Sequence, residues 1–385
     1  MRATLTPVLP PRSIPAFAPP LDRLVVRAAL ARGAHWPRSG PDLAGEVATA
    51  AQRDPSQASW VPHPEEALVA ALRSHTDGEL VIACPSWGVA AFAEPLERHA
   101  DRLIFLAPAP GRLDPGLAQV EAALQAGATA VLLAPVAGDC TGIQPIAALC
   151  AGRGVPLALD ARMNSGGRVL DGPPGAWGDP TLLAVHGEPG PAPCPGAILV
   201  SSRPPQPAPN GVASPAALDL ALSLVRDSLR SEPRLRRLLG PGAPASLAPR
   251  QGAAPAWAFA AAGARLQQAA DRASQRARHG RTLRHNIAHI EGMSVIDEAP
   301  GVQSASCVLP ILTRNRDAVA AWLARAGLPT LHGLAGWLAP EGGRSAEAED
   351  VAARALFLPL HPFYRAQDLV SIGEALRRAA LASLD

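Results

Sequence analysis

Residues 130–160 read AVLLAPVAGDCTGIQPIAALCAGRGVPLALD, and this stretch decides the fold. AVLLAP (130–135) is a continuous apolar run of strand length. IQPIAALCAGRG follows as a helix that stops at glycine, and VPLALD (155–160) is a second apolar run ending in an acid. Strands without polar alternation are buried on both faces, as in a parallel sheet covered by helices. The pattern extends in both directions. Upstream, PEEALVAALRSH reads as a helix with Pro64 in its first turn and Glu65 and Glu66 at its positive end. ELVIAC (79–84) is a strand, WGVAAFAEPLERHA a helix, and LIFLA (103–107) a strand. A helix from Asp114-Pro115 carries Leu117, Val120 and Leu124 at helical spacing and stops at Gly127. Downstream, LLAV (182–185) and AILVS (197–201) add two strands, the second expected to be antiparallel.

Alternating strands and helices predict an α/β layered domain with a mostly parallel central sheet. Its ligand crevice belongs at the carboxyl ends of the strands. Pro85-Ser86-Trp87, Gly138-Asp139 and Asp160 all fall there. The later part of the chain reads as a smaller α+β domain. It has a long helical stretch over 257–290, a strand over VQSASCVLPILT (302–313), a helix over RDAVAAWLARAG, and a closing helix over 365–382. The domains are drawn at 1–250 and 251–385, with 1–60 poorly defined. Between the Pro/Gly-rich breaks at 203–215 and 239–255 lies an Arg-rich helix, read as a solvated face.

Composition limits the chemistry. Among 385 residues there are 35 basic side chains, all arginine, so the chain has no lysine and no lysine Schiff base. The formal net charge of +2 excludes nucleic-acid binding by bulk charge. No apolar run reaches the roughly 20 residues of a membrane span. The N-terminal MRATLTPVLPPRSIPAF lacks an apolar signal core, which gives a cytoplasmic expectation. The five cysteines (Cys84, Cys140, Cys150, Cys194 and Cys307) show no zinc spacing and read as buried thiols. His279, His285 and His289 on the long helix, beside Arg281 and Arg284, read as a solvated basic face and not a metal site. No Gly-x-Ser-x-Gly elbow, Gly-x-Gly-x-x-Gly loop or Walker-type loop occurs.

Three segments resemble one family: PSWGVAAFAEPLERHADRLIFL, then LDPGLAQVEAAL, then TAVLLAPVAGDCTGIQPIAALCAGRGVPLALDA. Near the C-terminus, ALFLPLHPFYRAQDLVSIGEAL adds a Leu-Pro-Leu-His-Pro turn before the last helix. In order and spacing they are similar to the DegT/StrS family of fold-type I, pyridoxal-phosphate-dependent sugar aminotransferases. The resemblance spans most of 80–202 and 257–385, and 1–60 matches poorly. It implies a fold-type I transferase-like architecture, usually dimeric, in polysaccharide or sugar-nucleotide biosynthesis.

The same resemblance assigns site residues. Asp160 matches the carboxylate that holds the pyridinium nitrogen protonated. Trp87 matches the aromatic that stacks on the ring, and His186 the residue just before the internal-imine lysine. Each has a plainer reading: Asp160 bonding loop amides, Trp87 in the core, His186 as a satisfied polar group. Other positions depart from the family. The lysine position falls on or near Pro189, the phosphate-binding serine on Ala184, the Ser-Gly-Thr phosphate loop on His63-Pro64-Glu65, and the Gln or His after the acidic pair on Met163. Proline offers no N–H, and a glutamate repels phosphate. The expectation is therefore a degenerate, non-catalytic homologue with no cofactor, acting as a scaffold. It would form a homodimer, or a heterodimer with an active aminotransferase paralogue. The alternative is a lysine-independent, dehydratase-like pyridoxal-phosphate enzyme on a nucleotide sugar with His186 as base. A third reading is small-molecule binding in the old crevice.

Overall fold

The computed structural model describes residues 40–384 apart from 136, 171, 188–195, 204–255, 329 and 331–337. Cys194, Pro189, the Arg-rich helix and, apart from Arg203, the Pro/Gly-rich breaks lie outside the described residues.

A seven-stranded sheet carries the first half. Its strands are β1 (Ala58–Val61), β2 (Val81–Pro85), β3 (Arg102–Leu106), β4 (Ala130–Leu133), β5 (Leu157–Asp160), β7 (Thr181–Leu183) and β8 (Ala197–Val200), in the order β1-β8-β7-β5-β4-β2-β3. β3, β2, β4, β5 and β7 run parallel, and β8 is antiparallel to both β7 and β1. Every residue of β2, β4, β5, β7 and β8 is buried, which is why these strands read as unbroken apolar runs.

The crossover helices are α2 (Pro64–Ser74), α3 (Ala93–His99), α4 (Leu117–Gln125) and α5 (Ile143–Arg153). In α2, Pro64 opens the helix and Glu65 and Glu66 occupy its first turn. Gly154 ends α5 in the left-handed region at φ +64°, a backbone shape that costs a glycine little. The parallel pairs Leu133↔Leu159 and Asp160↔Leu182 align the carboxyl ends of β4, β5 and β7 along one edge.

A second sheet, β12 (Ala355–Pro359), β11 (Val308–Thr313) and β9 (Met293–Val295), is antiparallel throughout. Its core draws on α8 (Arg316–Arg325) and α10 (Ala366–Leu384), with Val319, Leu323, Ile372 and Leu376 packed on Leu309, Ile311 and Leu358. Between the sheets run α6 (Ala256–Leu266) and α7 (Ala269–Ile287), while α9 (Ala346–Arg354) precedes β12. A two-residue ladder, Val302↔Val169 and Gln303↔Arg168, joins β10 (Val302–Gln303) to β6 (Arg168–Val169).

Several sequence expectations change. The first 60 residues contain α1 (Gly40–Ala50) and the edge strand β1, neither of which was expected. The helix expected from Trp87 begins as a 3-10 turn at Ala90 and turns α-helical at Ala93, because Gly88 at φ +85° bends the chain first. The stretch 257–290 is two helices, separated by the tight turn that Gln268 N–H closes onto the Arg265 carbonyl at 2.9 Å. The strand expected over 302–313 is interrupted at 304–307. There the Ser304 and Ser306 hydroxyls accept from the Ser306 and Val308 amides, both at 3.3 Å, and compete with a ladder.

The basic face of α7 is solvated only in part. His285 and Arg281 are exposed, and exposed His289 lies beyond the helix end. His279, Arg272 and Arg276 are buried. Arg284 meets Glu298 at 2.9 Å, an acid delivered by the segment after β9 that the local sequence could not reveal. Cys84, Cys140, Cys150 and Cys307 are buried free thiols. Burial pushes the Cys84 thiol up to about 12, the inert regime for a cysteine.

Candidate functional site

Asp160 ends β5, the strand whose neighbours β4 and β7 finish at the same edge. Its carboxylate is met by Arg162, two residues on in the 3-10 turn Arg162–Asn164. Arg162 Nε donates to Asp160 Oδ1 at 2.8 Å and Nη2 to Oδ2 at 2.6 Å, a two-pronged contact that matches the shapes of both groups. The Arg162 backbone N–H donates to Oδ1 at 3.1 Å. Nη2 also donates to Glu65 Oε1 at 2.7 Å. Glu65 stands in the first turn of α2 and is 2% exposed, while Asp160 is 9% exposed.

The guanidinium therefore bridges the N-terminal turn of α2 to the carboxyl end of β5, 97 residues apart in sequence. Burial alone would lower the Arg162 pKa, but the Asp160 and Glu65 charges outweigh it and raise it above the ordinary arginine value. The space beside the Asp160 carboxylate is occupied by this side chain. Sequence reasoning did not single out Arg162. The available signal was its position two residues after a strand-ending acid, where an Asx-type turn brings the side chain back.

The loop after Arg162 is fixed to the second half of the chain. Asn164, 1% exposed, accepts the Ala305 N–H at Oδ1 (2.7 Å) and donates to Cys140 Sγ at 3.1 Å. Gly138, at φ +70°, lies where an added Cβ would sit 2.8 Å from the Met163 carbonyl oxygen, so the loop after β4 approaches this one at glycine-only distance.

Trp87 follows β2 and is 1% exposed. It stacks on Phe357 of β12, with centroids 6.2 Å apart and planes 11° from parallel. It shares an apolar cluster with Leu113, Ile296, Val308 and Val351, and Met163 and Leu338 pack against that cluster. His186 is 1% exposed, in the turn after β7 that Gly187 closes at φ +70°. Ala184 donates its N–H to Ser165 Oγ at 3.1 Å. His63 precedes α2 without a side-chain cap bond.

Near the 161–168 loop, on the side of α1 and α7, lies a cavity of about 340 Å³. Gln52, Asn164, Ser165 and Gln303 give it polar walls, and Leu266 and Ala269 apolar ones. Asp160, Trp87 and His186 do not line it among the described residues.

The opposite edge of the sheet gathers a second polar group. His75 Nε2 lies 2.9 Å from Ser201 Oγ and 3.7 Å from Asp179 Oδ1. A serine nucleophile relay needs its two partners on different imidazole nitrogens, and here both address Nε2. Ser201 Oγ donates instead to the Arg203 carbonyl. Among the described residues, no group of three or more His, Cys, Asp or Glu side chains could hold a metal ion, and no helix is long and apolar enough to cross a membrane.

No protein-family model and no curated protein matches the chain. Solved structures do. An aminotransferase, TlmJ, from Streptoalloteichus hindustanus superposes with a TM-score of 0.68 at 20% identity, covering 98% of this chain and 99% of that one. A DegT DnrJ EryC1 StrS aminotransferase from Brucella abortus gives 0.66 at 17% identity, covering 93% and 95%. A 3-amino-5-hydroxybenzoic acid synthase gives 0.70 at 15% identity, covering 97% and 99%. The superpositions cover 93–98% of this chain, so it has the fold of the DegT/DnrJ/EryC1/StrS-type sugar aminotransferases.

Proposed function

We propose that this chain is a non-catalytic relative of the sugar aminotransferases that acts as a partner or scaffold in polysaccharide or sugar-nucleotide synthesis in the cytoplasm. The observation that carries the reading is the absence of lysine from all 385 residues. Transamination on pyridoxal phosphate needs a side-chain amine that anchors the cofactor and relays a proton. Arginine stays protonated and cannot substitute.

The residues at the candidate site do not fit the cofactor either. The carboxylate matched to the pyridinium nitrogen is engaged by Arg162. A carboxylate, Glu65, stands in the helix turn matched to the phosphate loop. Met163, at the position of the usual Gln or His, packs against the apolar cluster of Trp87. Loss of the amine alone would point to altered chemistry. Loss of amine, phosphate cradle and ring-nitrogen site together points to a site that no longer works on the cofactor. His186 as a substitute base has little support, since it is 1% exposed and a general base must reach the proton it abstracts.

The fold supplies what a scaffold needs. Related enzymes build their sites between two subunits, so an inactive subunit can complete or stabilise an active one, as a homodimer or as a heterodimer with a lysine-bearing paralogue. The test is affinity purification of the full-length chain at native expression, with intact-mass analysis. A stoichiometric second chain that is aminotransferase-like and carries a lysine supports the reading. Amino transfer to a nucleotide ketosugar by the chain alone contradicts it.

A further inference from the structure

The cluster Glu65–Arg162–Asp160 is unusual for how little solvent reaches it: the three side chains are 3%, 11% and 11% exposed. Three charged groups at such burial need one another's hydrogen bonds, and here all of the guanidinium but Arg162 Nη1 is used. One guanidinium serves two acids that belong to different elements. Four hydrogen bonds converge, three on Asp160 and one on Glu65. The direction of the bridge matters. It runs from the first turn of a crossover helix to the carboxyl end of a parallel strand, the gap in which open α/β sheets hold ligands.

We propose that Arg162 is a built-in occupant of this gap: its guanidinium holds the place of a ligand cation between Asp160 and Glu65 and bars a separate cationic or phosphorylated ligand from entering. This deepens the reading above and rests on it in one respect, that the gap is not a working cofactor site. It also accounts for a carboxylate persisting at the end of β5 once no cofactor needs it. Asp160 and Glu65 form the receptor, and the chain supplies the ligand.

A receptor whose ligand is covalently attached can be emptied by mutation and refilled from solution. In Arg162→Ala, two buried carboxylates lose their cation. The melting temperature should fall, and methylguanidinium chloride should restore it along a saturating curve. Its half-saturating concentration should be at least about tenfold below that for any effect on the unchanged protein. Sodium chloride at equal concentration should not reproduce the rescue. Pyridoxal phosphate should show no saturable binding to the unchanged protein by tryptophan fluorescence.

If Arg162→Ala does not fold, Glu65→Gln with Arg162→Ala removes one unbalanced acid and is read in the same way. If neither folds, the pyridoxal phosphate titration of the unchanged protein decides. Unaltered melting of Arg162→Ala, rescue by sodium chloride as good as by methylguanidinium, or saturable pyridoxal phosphate binding by the unchanged protein each overturns the inference. The outcomes separate the two levels. Failed rescue in a protein that still transfers no amino group removes the occupant and leaves the non-catalytic reading standing. Amino transfer by the chain alone removes the latter.

Discussion

The two edges of the large sheet carry the same residue types and put them to different use. At the carboxyl edge, Arg162 is 11% exposed and lies between two acids at 2.6 and 2.7 Å. At the amino edge, Arg53 reaches Asp179 only at 3.8 Å, and that acid is 35% exposed. Arg53 spends its closest contact on a backbone oxygen, Gly178, at 2.6 Å. Arg53 is 13% exposed, but Asp179 is open to water and the pair is long, so their attraction is weak. The carboxyl-edge group depends on Arg162, because its removal takes the shared cation from two buried carboxylates. The contrast is between a carboxyl edge that holds its charges in a buried joint and an amino edge whose acid is open to water.

Four measurements break or sharpen that contrast. The largest effect is expected at Arg162. Arg162→Ala should cost about 3–5 kcal/mol in urea unfolding, the usual penalty for breaking a buried ion group. A loss under about 1 kcal/mol would place this joint in the same class as the rim. Glycines give the next comparison. Gly138→Ala, in the loop after β4, meets both a positive φ and the Met163 carbonyl, and should cost about 1–3 kcal/mol. Gly78→Ala, just before β2 at the amino edge, meets only the φ of +83° with open space around it. It should cost about 1–2 kcal/mol, from the backbone alone.

The amino-edge pair itself comes third. Asp179→Ala, which also removes the acceptor of the Ser202 N–H and hydroxyl, should cost about 1–2 kcal/mol, less than Arg162→Ala in the same buffer.

The smallest effect is one of pH and belongs to His75. Burial is the main cause of its lowered pKa, with Arg203 adding to the shift and Asp179 opposing it. The folded protein therefore binds the His75 proton less readily than the unfolded chain does. His75 costs no stability above the ordinary imidazole range. Stability is lost as pH falls through that range toward the lower folded value. His75→Gln should flatten this acid-side slope of melting temperature against pH. An unchanged slope would assign it to other groups.

Much of the scaffold was legible because burial on two faces writes itself as unbroken apolar runs: VIAC in β2, AVLL in β4 and AILV in β8. Glycine stops marked helix ends, as at Gly127 and Gly154. The edge strand β1, ASWV, escaped because none of its residues is fully buried and it borrows order from its neighbour β8. α1 escaped because GPDLAGEVATA mixes glycine and proline with a short apolar stripe.

The site was harder to read. Asp160 and Trp87 could be placed at strand ends, but not their neighbours. That Trp87 faces Phe357, 270 residues later, is a tertiary fact with no local signature. Arg162 was hidden for another reason. In a chain whose 35 basic residues are all arginine, one more arginine carries no information until a fold brings Glu65 to it.

The claim on which everything else depends is that this polypeptide does not move amino groups. The direct measurement is conversion of pyridoxal phosphate to pyridoxamine phosphate by the pure full-length chain with an amino-acid donor, set against the free cofactor in the same buffer. The expected rate is indistinguishable from the protein-free control, and borohydride treatment is expected to fix cofactor to no side chain. Conversion above the control, with a reduced adduct on an internal residue, would contradict it.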